Sequence, residues 1–427
     1  MPEIKFPYGK ETKSLNIPES RHAGSLLSKM HSYVPDKSPI ELVRQAMANP
    51  IGSKRLSELA RGKEKIVIIA SDHTRPVPSK VIIPPMLEEI RSVNPHADIT
   101  ILIATGFHRA TTGEELVNKF GEDIVANEKI VVHDSTASHT HVKIGTLPSG
   151  GELIINRLAA EADLLLAEGF IEPHFFAGFS GGRKSVLPGI ASCKTVMYNH
   201  NGQFIASPYA RTGIIEGNPI HADMLSAARQ ARLSYIVNVI INAEKEVMYA
   251  VAGDVDEAHR AGRDFLCSQC RVSPIPADIA ISTNGGYPLD QNIYQAVKGM
   301  TAAEATVNKD GVIIMLAQCG DGHGGEGFYG VFRDEKDLKR MTEKFVSTPP
   351  EETIADQWES QILARILQHA RVILVSDAND EMVRQMHMTP AHSLDEALSM
   401  ADEMLRERGI ENAAIVTVPD GVSVIVA

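Results

Sequence analysis

Two histidines at predicted strand ends are the side chains in this sequence best suited to proton transfer. His108 follows the apolar run Asp98–Ala104, and His174 follows Asp163–Glu168. An imidazole titrates near neutral pH and can act as a general acid or base. The less specific interpretation of each is a structural imidazole bonded to the backbone. The pair therefore indicates acid–base chemistry, provided that a pocket and a substrate anchor accompany it.

Two cations have the chemistry to anchor a carboxylate. Arg75 can hold a carboxylate through two parallel hydrogen bonds, and Lys298 can hold it as a point charge. Either could equally be a surface cation. Lys298 shares one predicted helical face with Tyr294 and Gln295, because residues three and four apart are neighbours on a helix. We place that helix in a second domain and expect a ligand in the cleft between two domains.

Ionisable and polar groups follow each of four predicted strands. Ligands of open α/β sheets bind beyond the carboxyl ends of the strands, so their concentration at these ends predicts a pocket there. The groups are Ser71, Asp72, His73, Thr74 and Arg75, then His108 and Arg109, then His133 and Asp134, then Glu172 and His174.

Two glycine-rich segments resemble nucleotide-binding loops without matching them fully. Gly178–Ser185 nearly fits a P-loop, but Arg183 stands where the second glycine belongs. Ser180, Lys184 and Ser185 could still hold an anion. Gly320–Gly325 has the form G-x-G-x-x-G after a strand. We expect no helix after it and no acidic residue at the ribose position, so we interpret it as a mobile loop and not as a dinucleotide site.

Metal-ligand patterns in the chain are weak. Cys267 and Cys270 form one isolated C-x-x-C, which is little evidence for zinc. His139 and His141 lack an obvious carboxylate partner. His133 beside Asp134 leaves a metallohydrolase open as an alternative.

The order of elements predicts two α/β domains. Short buried-strand patterns alternate with helical patterns, which is typical of a doubly wound, mostly parallel, Rossmann-like sheet. We assign residues 1–270 to an N-terminal cofactor-binding domain and 276–408 to a C-terminal α/β domain. Arg271–Pro276 has the prolines of a linker. The tail, 410–427, reads as a β-hairpin that can rejoin the N-terminal domain.

Charge and cysteine content exclude some classes of function. The net charge is −12, which argues against a nucleic-acid-binding protein. Four cysteines in 427 residues fit a reducing cytosol. The start has no apolar signal core, and no run reaches the roughly 20 apolar residues of a membrane span. We expect a cytoplasmic protein with no membrane partner.

Five motifs in the same order are similar to those of the nickel-dependent lactate racemase family. The resemblance covers nearly the whole chain, and the five together are specific although each alone is weak. They are Ser-Asp-His-Thr-Arg-Pro from Ser71, Gly-Phe-His-Arg around His108, Glu-Pro-His-Phe-Phe-Ala-Gly-Phe-Ser-Gly-Gly-Arg-Lys-Ser from Glu172, Asn-His at His200, and Tyr-Gln-Ala-Val-Lys from Tyr294.

The resemblance implies a nickel pincer nucleotide, Ni(II)-pyridinium-3,5-bisthiocarboxylate mononucleotide, made by cofactor-maturation enzymes. Carried over by motif, Lys184 would tether this cofactor covalently and His200 would ligate nickel, a metal that accepts imidazole ligands. Further cofactor contacts would come from Ser71, Asp72, His73, Thr74, Arg75, Val186 and Pro188.

The resemblance also implies a reaction, the interconversion of D- and L-lactate. Hydride would leave C2 for the pyridinium ring and return to the other face, while His108 and His174 serve the hydroxyls of the two enantiomers. Arg75, Tyr294, Gln295 and Lys298 would bind the substrate.

Alternatives to lactate racemisation remain open. Within the family these are other 2-hydroxy acids: malate, a longer or aromatic hydroxy acid, or a sugar acid. More distant ones are a metallohydrolase and a non-catalytic nickel or nucleotide carrier.

Overall fold

The computed structural model describes residues 3–427 and separates them into two compact units. We call residues 29–200 with 209–269 the N-terminal unit, and residues 3–28, 201–208 and 270–427 the C-terminal unit. Both are α/β, which confirms the predicted fold class. No helix within residues 3–427 is both long and apolar enough to cross a membrane.

The strands, in chain order, are β1 (Glu3–Tyr8), β2 (Glu11–Asn16), β3 (His22–Ser25), β4 (Lys65–Ser71), β5 (Asp98–Ala104), β6 (Lys129–Val132), β7 (His141–Thr146), β8 (Glu152–Asn156), β9 (Leu164–Phe170), β10 (Pro173–His174), β11 (Gly178–Phe179), β12 (Leu233–Ile241), β13 (Val247–Gly253), β14 (Arg271–Val272), β15 (Ala277–Thr283), β16 (Val307–Leu316), β17 (Arg371–Val375), β18 (Thr389–Ala391), β19 (Ile415–Val418) and β20 (Ile425–Val426).

The α-helices are α1 (Pro39–Ala48), α2 (Leu56–Leu59), α3 (Ser79–Arg91), α4 (Gly113–Phe120), α5 (Glu122–Asn127), α6 (Arg157–Ala160), α7 (Cys193–Asn199), α8 (Gly202–Ala206), α9 (Pro219–Gln230), α10 (Glu257–Cys270), α11 (Ile293–Glu304), α12 (Glu326–Asp334), α13 (Leu338–Ser347), α14 (Gln357–His369), α15 (Asp380–Gln385) and α16 (Leu394–Arg406). Short 3₁₀ helices lie at Lys29–Ser32, Ser138–Thr140, Gly182–Ser185 and Pro350–Glu352.

The sheet of the N-terminal unit has the order β13-β12-β9-β4-β5-β6. Its strands run parallel except for β13, which is antiparallel to β12. The β-branched runs of β4 and β5 are almost wholly buried, as parallel strands covered on both faces require. From β4 the chain proceeds to β5 and β6 on one side, whereas β9 leads to β12 on the other. The topological switch point, where ligands bind in such sheets, lies between β4 and β9.

The sheet of the C-terminal unit is wholly parallel in the described residues, with the order β18-β17-β16-β15-β19-β3. The start of the chain belongs here and not, as the predicted domain bounds had it, with the N-terminal unit. The reason is that β3 pairs with β19, and Phe6 of β1 packs in a core with Ile281 and Leu405.

The prediction of a C-terminal hairpin is wrong. β19 is buried between β15 and β3, whereas β20 pairs in parallel with β14, the short strand inside the predicted linker. The intervening turn is held at the end of β15, where Gly421 N–H donates to the Thr283 carbonyl at 3.0 Å. The tail therefore belongs to the C-terminal unit.

The expectation about Gly320–Gly325 is also wrong in one respect, because α12 follows it directly. The segment is tied to the start of α11: Ile293 N–H donates to the Gly322 carbonyl at 3.0 Å, and Tyr294 N–H to the His323 carbonyl at 3.2 Å. Gly324 has no space for a side chain, since a Cβ there would lie 2.7 Å from the Asn292 side chain. Gly324 therefore serves the packing of this segment against the start of α11.

Candidate active site

His108 is paired with a buried carboxylate at the end of β4. Its Nδ1 lies 2.6 Å from Oδ2 of Asp72, and Oδ1 of Asp72 accepts hydrogen bonds from Thr74 N–H (3.1 Å) and Thr74 Oγ1 (2.7 Å). Burial alone would raise the pKa of Asp72, but the hydrogen bond and charge of His108, with Thr74, hold that pKa below its ordinary value. With Nδ1 turned to Asp72, Nε2 is the nitrogen left to exchange a proton with a ligand.

A second buried carboxylate holds the strand end itself. Oε1 of Glu168, on β9, accepts hydrogen bonds from the Ser71 N–H (2.9 Å), the Ser71 hydroxyl (3.0 Å) and the Ser79 hydroxyl (3.1 Å). Lys119 donates to the Arg75 backbone carbonyl at 3.1 Å, and Arg75 itself is exposed. His73 turns away to Thr111, with Nδ1 3.0 Å from its Oγ1. The strand end is thus a rigid base for the loop that carries Asp72.

His174 lies on a hairpin of two short strands. Pro173 and His174 pair with Phe179 and Gly178, and the Nδ1 of His174 accepts a hydrogen bond from the Ala177 N–H at 3.3 Å. Gly178 has φ +77°, and a Cβ there would lie 2.3 Å from the Ile214 carbonyl oxygen. This glycine is therefore required by the chain's own packing.

Phe176 brings three predicted site residues into one cluster. Its ring centroid lies 4.6 Å from that of His174 and 5.2 Å from that of His200, and the Nζ of Lys184 lies 5.7 Å from it. The three residues are up to 26 positions apart in sequence. The cluster thus joins the candidate base, the candidate tether and the candidate metal ligand around one aromatic ring.

His200 is suited to metal ligation by its charge state. It follows α7 directly and is only 4% exposed. Burial, together with the positive charge of Lys184, lowers its pKa to about 3. The imidazole is therefore neutral at pH 7, and a neutral imidazole is the form that binds metals.

Arg183 organises the glycine-rich loop, a role that the sequence did not reveal. It is fully buried and donates to the Ala177 carbonyl at 2.8 Å, and its Nη1 lies 3.2 Å from Nε2 of His259. Burial, and then the charge of Arg263, lowers its pKa to about 9. The guanidinium organises the loop between His174 and Lys184. In the sequence it registered only as a departure from the P-loop pattern.

The loop of His108 rests on the segment after Lys184. Gly106 N–H donates to the Gly189 carbonyl at 3.0 Å, beside the half-buried Pro188. Val186 is fully buried. Both halves of the candidate site in the N-terminal unit are therefore joined through their backbones.

The remaining substrate-binding candidates lie together on α11 of the C-terminal unit. The Nζ of Lys298 donates to Oε1 of Gln295 at 2.7 Å, which confirms that they share a helical face. The phenol of Tyr294 donates to Oδ1 of Asp356 at 3.0 Å. Asn292 caps the helix by accepting from Gln295 N–H, so the cap and the site residues are adjacent.

His133 does not have the environment of a metal ligand. It is buried, its Nε2 lies 3.1 Å from the Ala191 carbonyl oxygen and its Nδ1 lies 3.2 Å from Nδ2 of Asn156. Both ring nitrogens therefore have partners in the protein. Among residues 3–427, no group of three or more His, Cys, Asp and Glu side chains is arranged to hold a metal ion.

Two family descriptions match most of the chain. The lactate racemase N-terminal domain matches residues 8–213, and the lactate racemase C-terminal domain matches residues 272–426. A lactate racemase of Lactiplantibacillus plantarum is 56% identical over 427 residues, which cover 100% of each chain. One from Thermoanaerobacterium thermosaccharolyticum is 55% identical, covering 100% of this chain and 99% of the relative.

Solved structures agree with these matches. The apoprotein of the lactate racemase from T. thermosaccharolyticum has a TM-score of 0.96 at 54% identity, covering 100% of both chains. A Thermotoga maritima protein has a TM-score of 0.63 at 18% identity, covering 91% of this chain and 99% of its own, and shows a shared fold only. The chain belongs to the lactate racemase family and is an isomerase of the racemase type.

Proposed function

We propose that this enzyme interconverts D- and L-lactate, with His108 and His174 as the two groups that exchange the hydroxyl proton. The observation that supports this most directly is the contrast between the two imidazoles. Asp72 accepts a hydrogen bond from the Nδ1–H of His108. The neutral ring therefore has an unprotonated Nε2 that can take a proton. Ala177 donates to Nδ1 of His174, so that neutral ring carries its proton on Nε2, the nitrogen left to contact a ligand.

This complementarity suits racemisation. The two enantiomers present their hydroxyl groups on opposite sides, so one group must remove a proton while the other restores one. Each turnover leaves the two imidazoles in exchanged protonation states, so a pair that has acted on one enantiomer is set to act on the other. Either imidazole is a positioned acid or base of the kind that contributes roughly 100- to 10,000-fold to a rate.

In this proposal the enzyme carries a nickel pincer nucleotide, Ni(II)-pyridinium-3,5-bisthiocarboxylate mononucleotide, which is tethered at Lys184. The chain's residues fit this group: His200 is a buried, neutral imidazole beside Lys184. As a single protein ligand it suits a nickel ion whose other donors belong to the cofactor. When bound, the group supplies a pyridinium ring that can take up the C2 hydride and return it. Residues 71–75, with Val186 and Pro188, would contact the nucleotide.

Two cationic side chains would bind the carboxylate of the substrate. Arg75 has an exposed guanidinium on the loop of Asp72, and Lys298 has Gln295 and Tyr294 beside it on α11. Because the carboxylate is present in both enantiomers and in the keto acid between them, it is the natural fixed point while C2 inverts.

The test begins with protein that is co-expressed with cofactor-maturation enzymes. We propose that these enzymes are its partners in the cytoplasm. We expect intact mass to show an adduct that the Lys184→Ala variant lacks, and the loaded protein to interconvert D- and L-lactate without added nicotinamide. The His108→Ala and His174→Ala variants should retain the adduct and lose the activity. Full activity in either variant would refute the two-base assignment.

Lactate is favoured over other 2-hydroxy acids because both curated relatives are lactate racemases. Turnover of malate, an aromatic hydroxy acid and a sugar acid should be compared with that of lactate. Faster turnover of any of these would transfer the proposal to that substrate while leaving the two-base chemistry intact.

A further inference from the structure

Helices α11 and α14 of the C-terminal unit meet through a row of polar pairs. At one end the Tyr294 phenol donates to Oδ1 of Asp356 at 3.0 Å. At the other end Arg365 and Glu304 form a two-pronged ion pair with N···O distances of 2.7 and 2.6 Å. Lys298 on α11 and Glu359 on α14 lie one turn along from the first pair. Because the pairs advance in the same direction along both helices, the two helices run parallel.

Glu359 differs from the other carboxylates of this row. It is only 1% exposed, and within residues 3–427 neither of its carboxylate oxygens has a hydrogen-bond partner. Glu304, in contrast, accepts two hydrogen bonds from Arg365. An ionised carboxylate in such a place would normally gather donors around both oxygens, since an unsolvated charge is strongly disfavoured. The environment of Glu359 is therefore that of a neutral carboxylic acid.

We propose that Glu359 is a positioning residue for Lys298, a neutral carboxylic acid that leaves the ammonium group available to the substrate's carboxylate. This inference rests on the proposed role of Lys298 in binding the substrate. If Glu359 were ionised, it would attract the same ammonium group and compete with the 2-hydroxy acid.

The charges around Glu359 agree with that state. Burial raises its pKa to about 8, Lys298 opposes the rise, and Asp356 adds to it. The Tyr294 phenol on the same face has a raised pKa, caused first by burial and then by Glu359 and Asp356, so it stays neutral too. Glu359 is thus protonated at pH 7 and loses its proton as the pH rises through about 8.

The consequence is a loss of substrate affinity at alkaline pH. Only the fraction of enzyme with protonated Glu359 binds substrate well, and the apparent affinity falls with that fraction. About one molecule in ten is protonated one pH unit above the pKa. The KM for lactate should therefore rise about tenfold between pH 7 and pH 9, with a smaller change in kcat.

The kinetic test uses the cofactor-loaded enzyme, with kcat and KM measured from pH 6.5 to 9.5. In Glu359→Gln, which keeps the shape and cannot ionise, KM should stay near its neutral-pH value throughout. Glu304→Gln is the matched control, because it alters a carboxylate on the same helix interface and should keep the wild-type rise in KM. A rise in KM of equal size in Glu359→Gln would overturn the inference.

A second measurement is independent of racemase activity. Infrared difference spectra of the apoprotein should show the C=O stretch of a protonated carboxylic acid at pH 7, absent from Glu359→Gln and lost as the pH rises through about 8. In Lys298→Met the same band should persist to higher pH, because an opposing charge is gone. Absence of the band from the wild type would refute the neutral state. Its presence in a protein that does not racemise lactate would place the failure in the proposed function instead.

Discussion

Nδ1 of His108 lies 2.6 Å from Oδ2 of Asp72, although 36 residues separate them. They meet because β4 and β5 are neighbouring parallel strands whose carboxyl ends face the same way. A carboxylate in this position fixes both the orientation of the imidazole and its tautomer. The pair therefore gives an exposed histidine on a loop a fixed orientation.

Replacing Asp72 by Asn tests this orientation. The amide can donate to Nδ1 and so favour the wrong tautomer, which should lower kcat roughly 100-fold or more. The measurement is the lactate racemisation rate of loaded enzyme with equal adduct content by mass.

Asp134→Asn is the matched control for Asp72→Asn. Asp134 makes the same local turn, accepting from the N–H (2.9 Å) and the hydroxyl (2.7 Å) of Thr136. Its substitution should leave kcat within about twofold of the wild type, because surface changes away from the site have small effects. Equal losses in the two variants would show that the turn, and not the imidazole contact, matters at Asp72.

Replacing His200 by Ala separates metal binding from tethering. Because Lys184 is unchanged, the organic adduct should remain in the intact mass, while nickel measured by atomic spectroscopy should fall at least tenfold after dialysis. His221→Ala removes another buried imidazole, on α9, and should retain nickel. Full nickel content in His200→Ala would contradict the assigned ligand.

Replacing Gly178 by Ala should destabilise the N-terminal unit. The new Cβ would meet the Ile214 carbonyl oxygen at 2.3 Å in a backbone region with φ +77°. We expect a loss of about 1–3 kcal/mol in the free energy of unfolding, measured with urea. Gly113→Ala, at the first position of α4 with no atom within 4 Å of the added Cβ, should cost nothing measurable.

Acidification should destabilise the fold through buried histidines. Burial lowers the pKa of His133 from 6.5 to about 4. Between these two values the imidazole is protonated in the unfolded chain but stays neutral in the folded one. Stability is therefore lost as the pH falls. Between pH 7 and pH 5 this group should account for about 2 kcal/mol.

The measurement for His133 is urea unfolding of the wild type and His133→Gln at both pH values. The variant should start lower in stability at pH 7, because the contacts with Ala191 and Asn156 are altered, but should lose less on acidification. An identical loss of unfolding free energy in both proteins would show that other groups cause the loss of stability at acidic pH.

Local patterns in the sequence predicted the elements well where one conformation suits them. The bounds of β5 match the predicted run, because β-branched residues fit a buried parallel strand. The prediction for the tail was wrong because its local pattern suits a conformation that the folded chain does not adopt. Two short apolar runs around Pro-Asp-Gly satisfy a hairpin locally, and only the open edges offered by β15 and β14 direct them into different sheets.

In the candidate site, too, the sequence predicted some features and not others. Residue types and motif order alone pointed to His108, His174, Lys184 and His200, because imidazole, amine and glycine-rich loops carry their chemistry with them. The partners that tune those groups were not visible. Asp72 and His108, or Glu359 and Lys298, are separated along the chain by whole elements, and no periodicity relates them.

By itself, the sequence determined the α/β class, the family and the side chains that could perform the chemistry, since these follow from local pattern and composition. The tertiary structure decided which nitrogen of each histidine faces outward, which imidazole is neutral and which carboxylate lacks partners. These properties depend on burial and on hydrogen bonds between distant segments, and both are set only when the sheets assemble.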